Sequence, residues 1–263
     1  MQFLGQHFLK NQTVIDKTIS TLDIKSGDLI IEIGPGKGAL TLPMAQSSGT
    51  DFKIITIEKD ANLAKELDKK IRNLHIKNVE IIEGDVLEVL PELISKLKLK
   101  KYKLIGNIPY YITGKILRTI SDLPDKPSVS ILMVQKEVAE RITAQPPRNN
   151  LLASATQVWA DVRTITTIKA KDFLPPPKVD SAIIQITPNN LKLSSEEKEK
   201  YYEFIHIIFK QPRKTLANNL KDGLGITREE VEKRLKSLEI SPNCRPQDIS
   251  TEQILHLSQL EII

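Results

Sequence analysis

The sequence predicts an α/β fold: an open, largely parallel sheet wrapped by helices, followed by a small all-helical C-terminal domain. Three observations carry this expectation. Apolar runs of strand length alternate with helical periods through residues 1–190. Successive strand runs end in an acid or an amide, at Glu32, Glu58, Asp85 and Asn107. From Asn189 onward no strand pattern remains, so the domains are expected to span 1–190 and 191–263, with the boundary near 188–194.

The elements follow in order. The opening residues carry Phe3, Phe8 and Leu9, apolar side chains expected to tuck into a core ahead of a short helix over 16–22. Leu29, Ile30, Ile31 and Ile33 form a near-continuous apolar strand, the mark of a strand buried on both faces. It runs into Glu32-Ile33-Gly34-Pro35-Gly36-Lys37-Gly38, and then a helix over 39–47. Glycines let a ligand approach the peptide plane with no Cβ in the way. The spacing is Gly-x-Gly-x-Gly, because position 39 is alanine, and not the dinucleotide Gly-x-Gly-x-x-Gly. With an acid on the preceding strand, this turn favours S-adenosylmethionine over NAD, which would bring a pyrophosphate to cradle.

The second strand, 53–57, ends in Glu58, about 24 residues after Gly34, where an acid accepts from both hydroxyls of a ribose. Asp60 is read as the N-cap of a helix over 61–71. The third strand, 79–83, ends in Gly84-Asp85, a carboxylate suited to an adenine amino group. Residues 92–100 read as a basic surface helix or loop. The fourth strand, 102–105, delivers Gly106-Asn107-Ile108-Pro109-Tyr110-Tyr111. The proline stops the ladder and holds Ile108 extended. An amide oxygen, nearby carbonyls and a flat ring together suit an exocyclic amine on a planar base.

A helix over 113–121, a strand over 128–134 and an amphipathic helix over 135–143 come next. Residues 145–150 carry no period and read as a mobile loop before a helix over 151–159. Segments 163–168 and 181–187 alternate like an antiparallel pair at a sheet edge. Between them, Phe173-Leu-Pro-Pro-Pro-Lys178-Val-Asp-Ser181 is a rigid arm, expected to present Phe173 as a stacking face and Lys178 to a phosphate. Beyond 189, helices are expected over 196–209, 213–221, 228–237 and 251–259, with Arg213 and Lys214 as a phosphate-contact edge.

Composition bounds the class. The 263 residues hold 38 Lys+Arg against 33 Asp+Glu, a net charge of +5 and a pI near 9.1, which permits a polyanionic partner. The single cysteine, Cys244, rules out an internal disulfide, and four scattered histidines suggest no metal site. No apolar run approaches the ~20 residues of a membrane span. The N-terminus carries no signal-peptide pattern, so a cytoplasmic chain is expected, and the absence of a visible association element makes a monomer the expectation.

Taken together, Gly5-Gln-His-Phe-Leu9, Glu32–Gly38, Ile57-Glu58, Gly84-Asp85, Gly106–Tyr111, Phe173–Ser181 and Arg213-Lys-Thr-Leu-Ala-Asn-Asn-Leu-Lys221 resemble the KsgA/RsmA-type ribosomal RNA adenine dimethyltransferases. The resemblance runs over essentially the full length. It implies a Rossmann-like class I methyltransferase sheet with a helical C-terminal domain, and S-adenosylmethionine as methyl donor. It also implies dimethylation at N6 of two adjacent adenosines near the 3′ end of small-subunit ribosomal RNA, on the RNA or a pre-30S-type particle. Carried over residue by residue, cofactor contacts fall on His7, Leu9, Gly34, Gly36, Glu58, Asp85 and Asn107. The Asn107 oxygen and the Ile108 or Pro109 carbonyl would accept the two N6 hydrogens, with Tyr110 and Phe173 stacking on the base. Position 7 is often asparagine in relatives, and residues 149–154 depart from a Tyr-Gly-x-Leu-Ser-Val-like stretch, keeping only Leu152. Three rivals share parts of this pattern: a resistance-type methyltransferase of large-subunit RNA, a DNA adenine methyltransferase, and a non-catalytic ribosome-assembly factor.

Overall fold

The structure is a computed structural model describing residues 7–47, 51–98 and 101–260. Phe3 and the Gly5-Gln6 start of the first matching segment lie outside the described residues.

In chain order, β1 (Phe8–Leu9) precedes α1 (Gln12–Leu22), which starts earlier than its apolar period alone suggests because Asn11 caps it. Then follow β2 (Leu29–Ile33), α2 (Thr41–Gln46), β3 (Lys53–Glu58) and α3 (Ala61–Asn73). Asp60 caps α3, accepting from the Asn62 and Leu63 N–H groups, and Leu63, Leu67 and Ile71 bury one face. Next come β4 (Val79–Glu83), α4 (Val86–Leu97), β5 (Lys103–Asn107), α5 (Thr113–Asp122), β6 (Val129–Gln135) and α6 (Lys136–Ile142). The chain continues through α7 (Leu151–Gln157), β7 (Ala160–Ile168), β8 (Phe173–Leu174) and β9 (Ser181–Pro188). It ends in α8 (Ser195–Ile208), α9 (Leu216–Leu224), α10 (Arg228–Ser237) and α11 (Thr251–Gln259).

Seven strands form one sheet in the order β4-β3-β2-β5-β6-β9-β7. The five from β4 to β6 are parallel, and β9 joins β6 antiparallel. The chain winds outward from β2 in one direction through β3 and β4, and in the other through β5 and β6. That reversal opens a crevice beyond the carboxyl ends of β2 and β5, where open α/β sheets bind ligands. Ile30, Ile31, Leu104, Ile105, Ile131 and Leu132 are all fully buried in these central strands. Each contributes about 1.5–3 kcal/mol by leaving water.

The chain gathers into two compact units, Met1–Ala139 with Val162–Pro188, and Glu140–Asp161 with Asn189–Ile263. This corrects the expected division, because residues 140–161 group with the C-terminal helices. The cause is specific bonding. The Tyr201 and Tyr202 hydroxyls on α8 donate to the Ser154 and Ala155 carbonyls of α7. Asn149, 4% exposed, donates to the Ile249 carbonyl, while its Oδ1 accepts from Ser154 and from the Asn150 N–H. The departing stretch at 149–154 is therefore a hydrogen-bonded junction of the second unit, not a free loop. A second correction concerns Arg213 and Lys214. They lie in the turn before α9, whose N-cap is Thr215.

Candidate active site

The carboxyl ends of β2, β3, β4 and β5 meet in one cleft of the first unit. Its lining includes His7, Phe8, Leu9, Glu32, Gly34, Gly36, Glu58, Lys59, Asp85, Asn107, Ile108, Pro109, Tyr110, Tyr111 and Met133. Ten of these are site residues expected from the sequence.

The register explains the meeting. Gly106 faces Ile33 across β5 and β2, so Gly34 and Asn107 emerge side by side. A Cβ on Gly106 would lie 2.6 Å from the Ile33 carbonyl oxygen, so only glycine lets these strands come this close. Gly36, at φ +54°, lets the loop turn back under the Phe8 ring. The Gly36 N–H then donates to Glu58 Oε2 at 2.9 Å, while the Asp60 N–H donates to Oε1 at 2.9 Å. Glu58 is thus fixed between two strand ends with lone pairs to spare.

At the tip of β4, Asp85 does two jobs. Its Oδ1 caps α4 through the Leu87 N–H, and its Oδ2 accepts from Lys59 Nζ at 2.7 Å. The Lys59 ammonium, helped by the capping bond, holds the Asp85 carboxyl below its usual range, and the Asp85 carboxylate in turn holds Lys59 above its own. Glu32, 1% exposed on β2, is the opposite case. Desolvation raises its pKa to about 8, against a lowering hydrogen bond from Thr41 Oγ1 at 2.7 Å and aided by the Glu58 charge. At neutral pH Glu32 is therefore mostly protonated.

Asn107 donates through Nδ2 to the His7 carbonyl at 3.1 Å, which leaves Oδ1 as the acceptor of that amide. The Ile108 N–H bonds the Met133 carbonyl, and the Pro109 carbonyl accepts from the Ile112 N–H in a short 3₁₀ turn over Tyr110–Ile112. Burial raises the Tyr110 pKa, and its hydroxyl meets Ser181 Oγ at 2.8 Å. His7 enters with both backbone and ring: its Nδ1–H donates to the Pro175 carbonyl at 2.8 Å, and the ring stacks toward Tyr110 with centroids 6.4 Å apart.

Phe173 requires a correction. The Leu9–Phe173 pairing of β1 and β8 turns its ring inward, where it is 1% exposed within the main core. It is a core residue and offers no stacking face. Lys178 is exposed on the proline arm and does not line the cleft; Arg213 and Lys214 are exposed in the second unit. Phe8, Lys59, Tyr111 and Met133 are not among the site residues expected from the sequence, although all but Met133 adjoin one that is. Glu32 stands in the sequence only as the acid before the turn; its place within the apolar run of β2 was the available signal.

The chemistry of this donor set fits S-adenosylmethionine. Glu58 and Asp85 supply acceptors for hydroxyls and an exocyclic amine, glycines expose backbone, and Leu9, Ile57 and Val86 supply apolar walls. Among the described residues no group of His, Cys, Asp or Glu is placed to hold a metal, and no helix is long and apolar enough to cross a membrane.

Residues 1–261 match the model of the ribosomal RNA adenine dimethylase family. The chain belongs to that family. This dimethylase is similar to the ribosomal RNA small subunit methyltransferase A of Mycoplasma capricolum, at 38% identity over 98% of this chain and 96% of the relative. Among solved structures it resembles a dimethyladenosine transferase from Plasmodium falciparum, with a TM-score of 0.79 and 25% identity over 95% of this chain and 96% of that one. The 23S rRNA methyltransferase ErmE shares the fold, with a TM-score of 0.73 at 23% identity over 96% and 98% of the two chains. The dimethylase is accordingly a Rossmann-like enzyme that uses S-adenosylmethionine to methylate ribosomal RNA adenine.

Proposed function

We propose that this enzyme dimethylates N6 of two adjacent adenosines near the 3′ end of small-subunit ribosomal RNA, within an immature small-subunit particle, and that it acts as a cytoplasmic monomer. The observation that carries the reading is the convergence of Gly34, Gly36, Glu58 and Asp85 with Asn107 and Tyr110 in one cleft.

In this reading residues 1–190 form the cofactor-binding domain and 191–263 its helical companion, less the 140–161 segment reassigned above. His7, Leu9, Gly34, Gly36, Glu58, Asp85 and Asn107 hold S-adenosylmethionine, which supplies an electrophilic methyl group when bound. Adenine N6 is a poor nucleophile because its lone pair is delocalised into the ring. Asn107 Oδ1 accepts one N6 hydrogen. The Ile108 or Pro109 carbonyl accepts the other, the latter with the lone pair that Ile112 leaves. Together they draw the nitrogen toward pyramidal geometry and aim its lone pair into the cleft. Such positioning supplies several kcal/mol with no general base, and the N6 proton leaves to water after transfer. Tyr110 stacks on the base, its ring held by Ser181. The target must first leave its stack, which costs least in a single-stranded loop. Lys178, Arg213 and Lys214 contact phosphates.

Tritium transfer from labelled S-adenosylmethionine into immature small subunits, with mapping of the modified bases, tests this. Dimethyladenosine at two adjacent 3′-end positions is the expected result. Label confined to large-subunit RNA would move the assignment to the resistance type. Tight particle binding without label would make the chain an assembly factor.

A further inference from the structure

Six large hydrophobic side chains are conspicuously exposed among the described residues, and three of them, in the 3₁₀ turn, in β8 and in the proline arm, belong to the first unit near the cleft. Tyr111, 66% exposed, belongs to the cleft lining itself. Leu174, 62% exposed, pairs with Phe8 of the lining, and Val179 lies two residues before Ser181, the partner of Tyr110. Leaving a tyrosine ring in water beside a cleft has no stability rationale. It is not loosely held: the 3₁₀ turn that carries it is closed by the Pro109–Ile112 and Tyr110–Thr113 bonds. A turn already closed loses little backbone entropy when something stacks on the ring it carries.

The surroundings select the kind of occupant. The Tyr111 hydroxyl lies within electrostatic reach of Lys59, and Lys115 lies within reach of Asp85. Lys37 sits over the Phe8 ring at 4.9 Å. An exposed ring within reach of the Lys59 ammonium, which is shared with Asp85, on a cleft that also holds Lys37 beside Phe8, has the chemistry that single-stranded nucleic acid uses: base on ring, phosphate on ammonium. An apolar protein segment would gain nothing from the cations.

We infer that Tyr111 is a stacking platform for the nucleotide next to the target adenosine. The inference rests on the proposed reading that Tyr110 receives the target base. It makes Tyr111 a determinant of substrate register, holding one base of a pair outside the cleft while its neighbour occupies it.

The test is a cycle between protein and RNA. Affinity for a short small-subunit 3′-end RNA is measured for the wild type, Tyr111→Ala and Tyr111→Phe. Each is compared on intact RNA and on RNAs made abasic immediately 5′ or 3′ of the target adenosine. Tyr111→Ala should weaken intact RNA by roughly five- to a hundredfold, the range of a lost base stack, and Tyr111→Phe should restore most of it. On one of the two abasic RNAs, wild type and Tyr111→Ala should bind alike. Equal weakening of intact and abasic RNAs, or none, overturns the inference. A wild type that fails to methylate immature small subunits under any condition would instead overturn the underlying reading.

Discussion

Asn107 and Glu32 are two polar residues that the same strand ends treat in opposite ways. The Asn107 amide is polarised by construction: its nitrogen is committed to the His7 carbonyl, so its oxygen is the group left to accept. Asn107→Ala should lower kcat by about 10²–10³-fold, the usual cost of one preorganised polar contact, while a measurable cofactor affinity survives in calorimetry. Wild-type turnover in that variant would remove Asn107 from the mechanism. Glu32 bears on stability. Its folded pKa of about 8 lies above the ordinary value of 4.5, so between these the native state holds a proton that the unfolded chain has lost. The sign follows: its stabilising contribution is complete below pH 4.5 and is lost as pH rises through about 8. Glu32→Gln cannot ionise and should remove that loss, on the order of a few kcal/mol. Thermal unfolding of both proteins from pH 5 to 9 should show the variant gaining on the wild type as pH rises, and parallel curves would contradict the assignment.

Between residue and molecule stands the strand pair β2–β5, which sets the distance across the cleft. Gly106→Ala forces a Cβ to within 2.6 Å of the Ile33 carbonyl oxygen, backbone that cannot rotate away. Overpacking of this kind costs about 1–3 kcal/mol, or roughly 2–4 °C of melting temperature for each kcal/mol. Because the shift separates Gly34 from Asn107, methyl transfer measured well below the melting point should fall further than the unfolded fraction explains. Activity that simply tracks the folded fraction would show the spacing to be tolerant. At this scale the sequence was most legible where period and punctuation agree. All five parallel strands and the Asp60 cap follow from apolar runs and an Asx residue ahead of a helical period. The first half of α4 is not legible in the sequence, where a helix or loop is expected only over 92–100, and Pro91 lies inside the helix. Phe173 misled for a different reason. A proline arm says that the backbone is stiff, but which way a ring faces depended on β1 pairing with β8, some 165 residues away in sequence.

Over the whole molecule, the unforeseen feature is the grouping of residues 140–161 with the C-terminal helices. Nothing in the local pattern of 140–161 marks it, since the bonds that decide it join Ser154 to Tyr201 and Asn149 to Ile249. The second unit also holds Arg213 and Lys214, and their roles in RNA binding should be unequal. Lys214 Nζ is 3.0 Å from Asp222, a pairing that spends part of its charge within the protein. No such carboxylate stands beside Arg213 among the described ion pairs. If these cations contact phosphate, each lost contact flattens the slope of log K against log salt by roughly 0.7–0.9. Arg213→Ala should approach that full change. Lys214→Ala should show less, because the lysine must leave Asp222 to reach the RNA, and Asp222→Ala should strengthen binding at low salt. Filter binding to small-subunit RNA across 50–300 mM potassium chloride reads all three. An unchanged slope in Arg213→Ala would place the RNA path away from this turn, and the +5 charge of the chain would then act as a diffuse field without this contact.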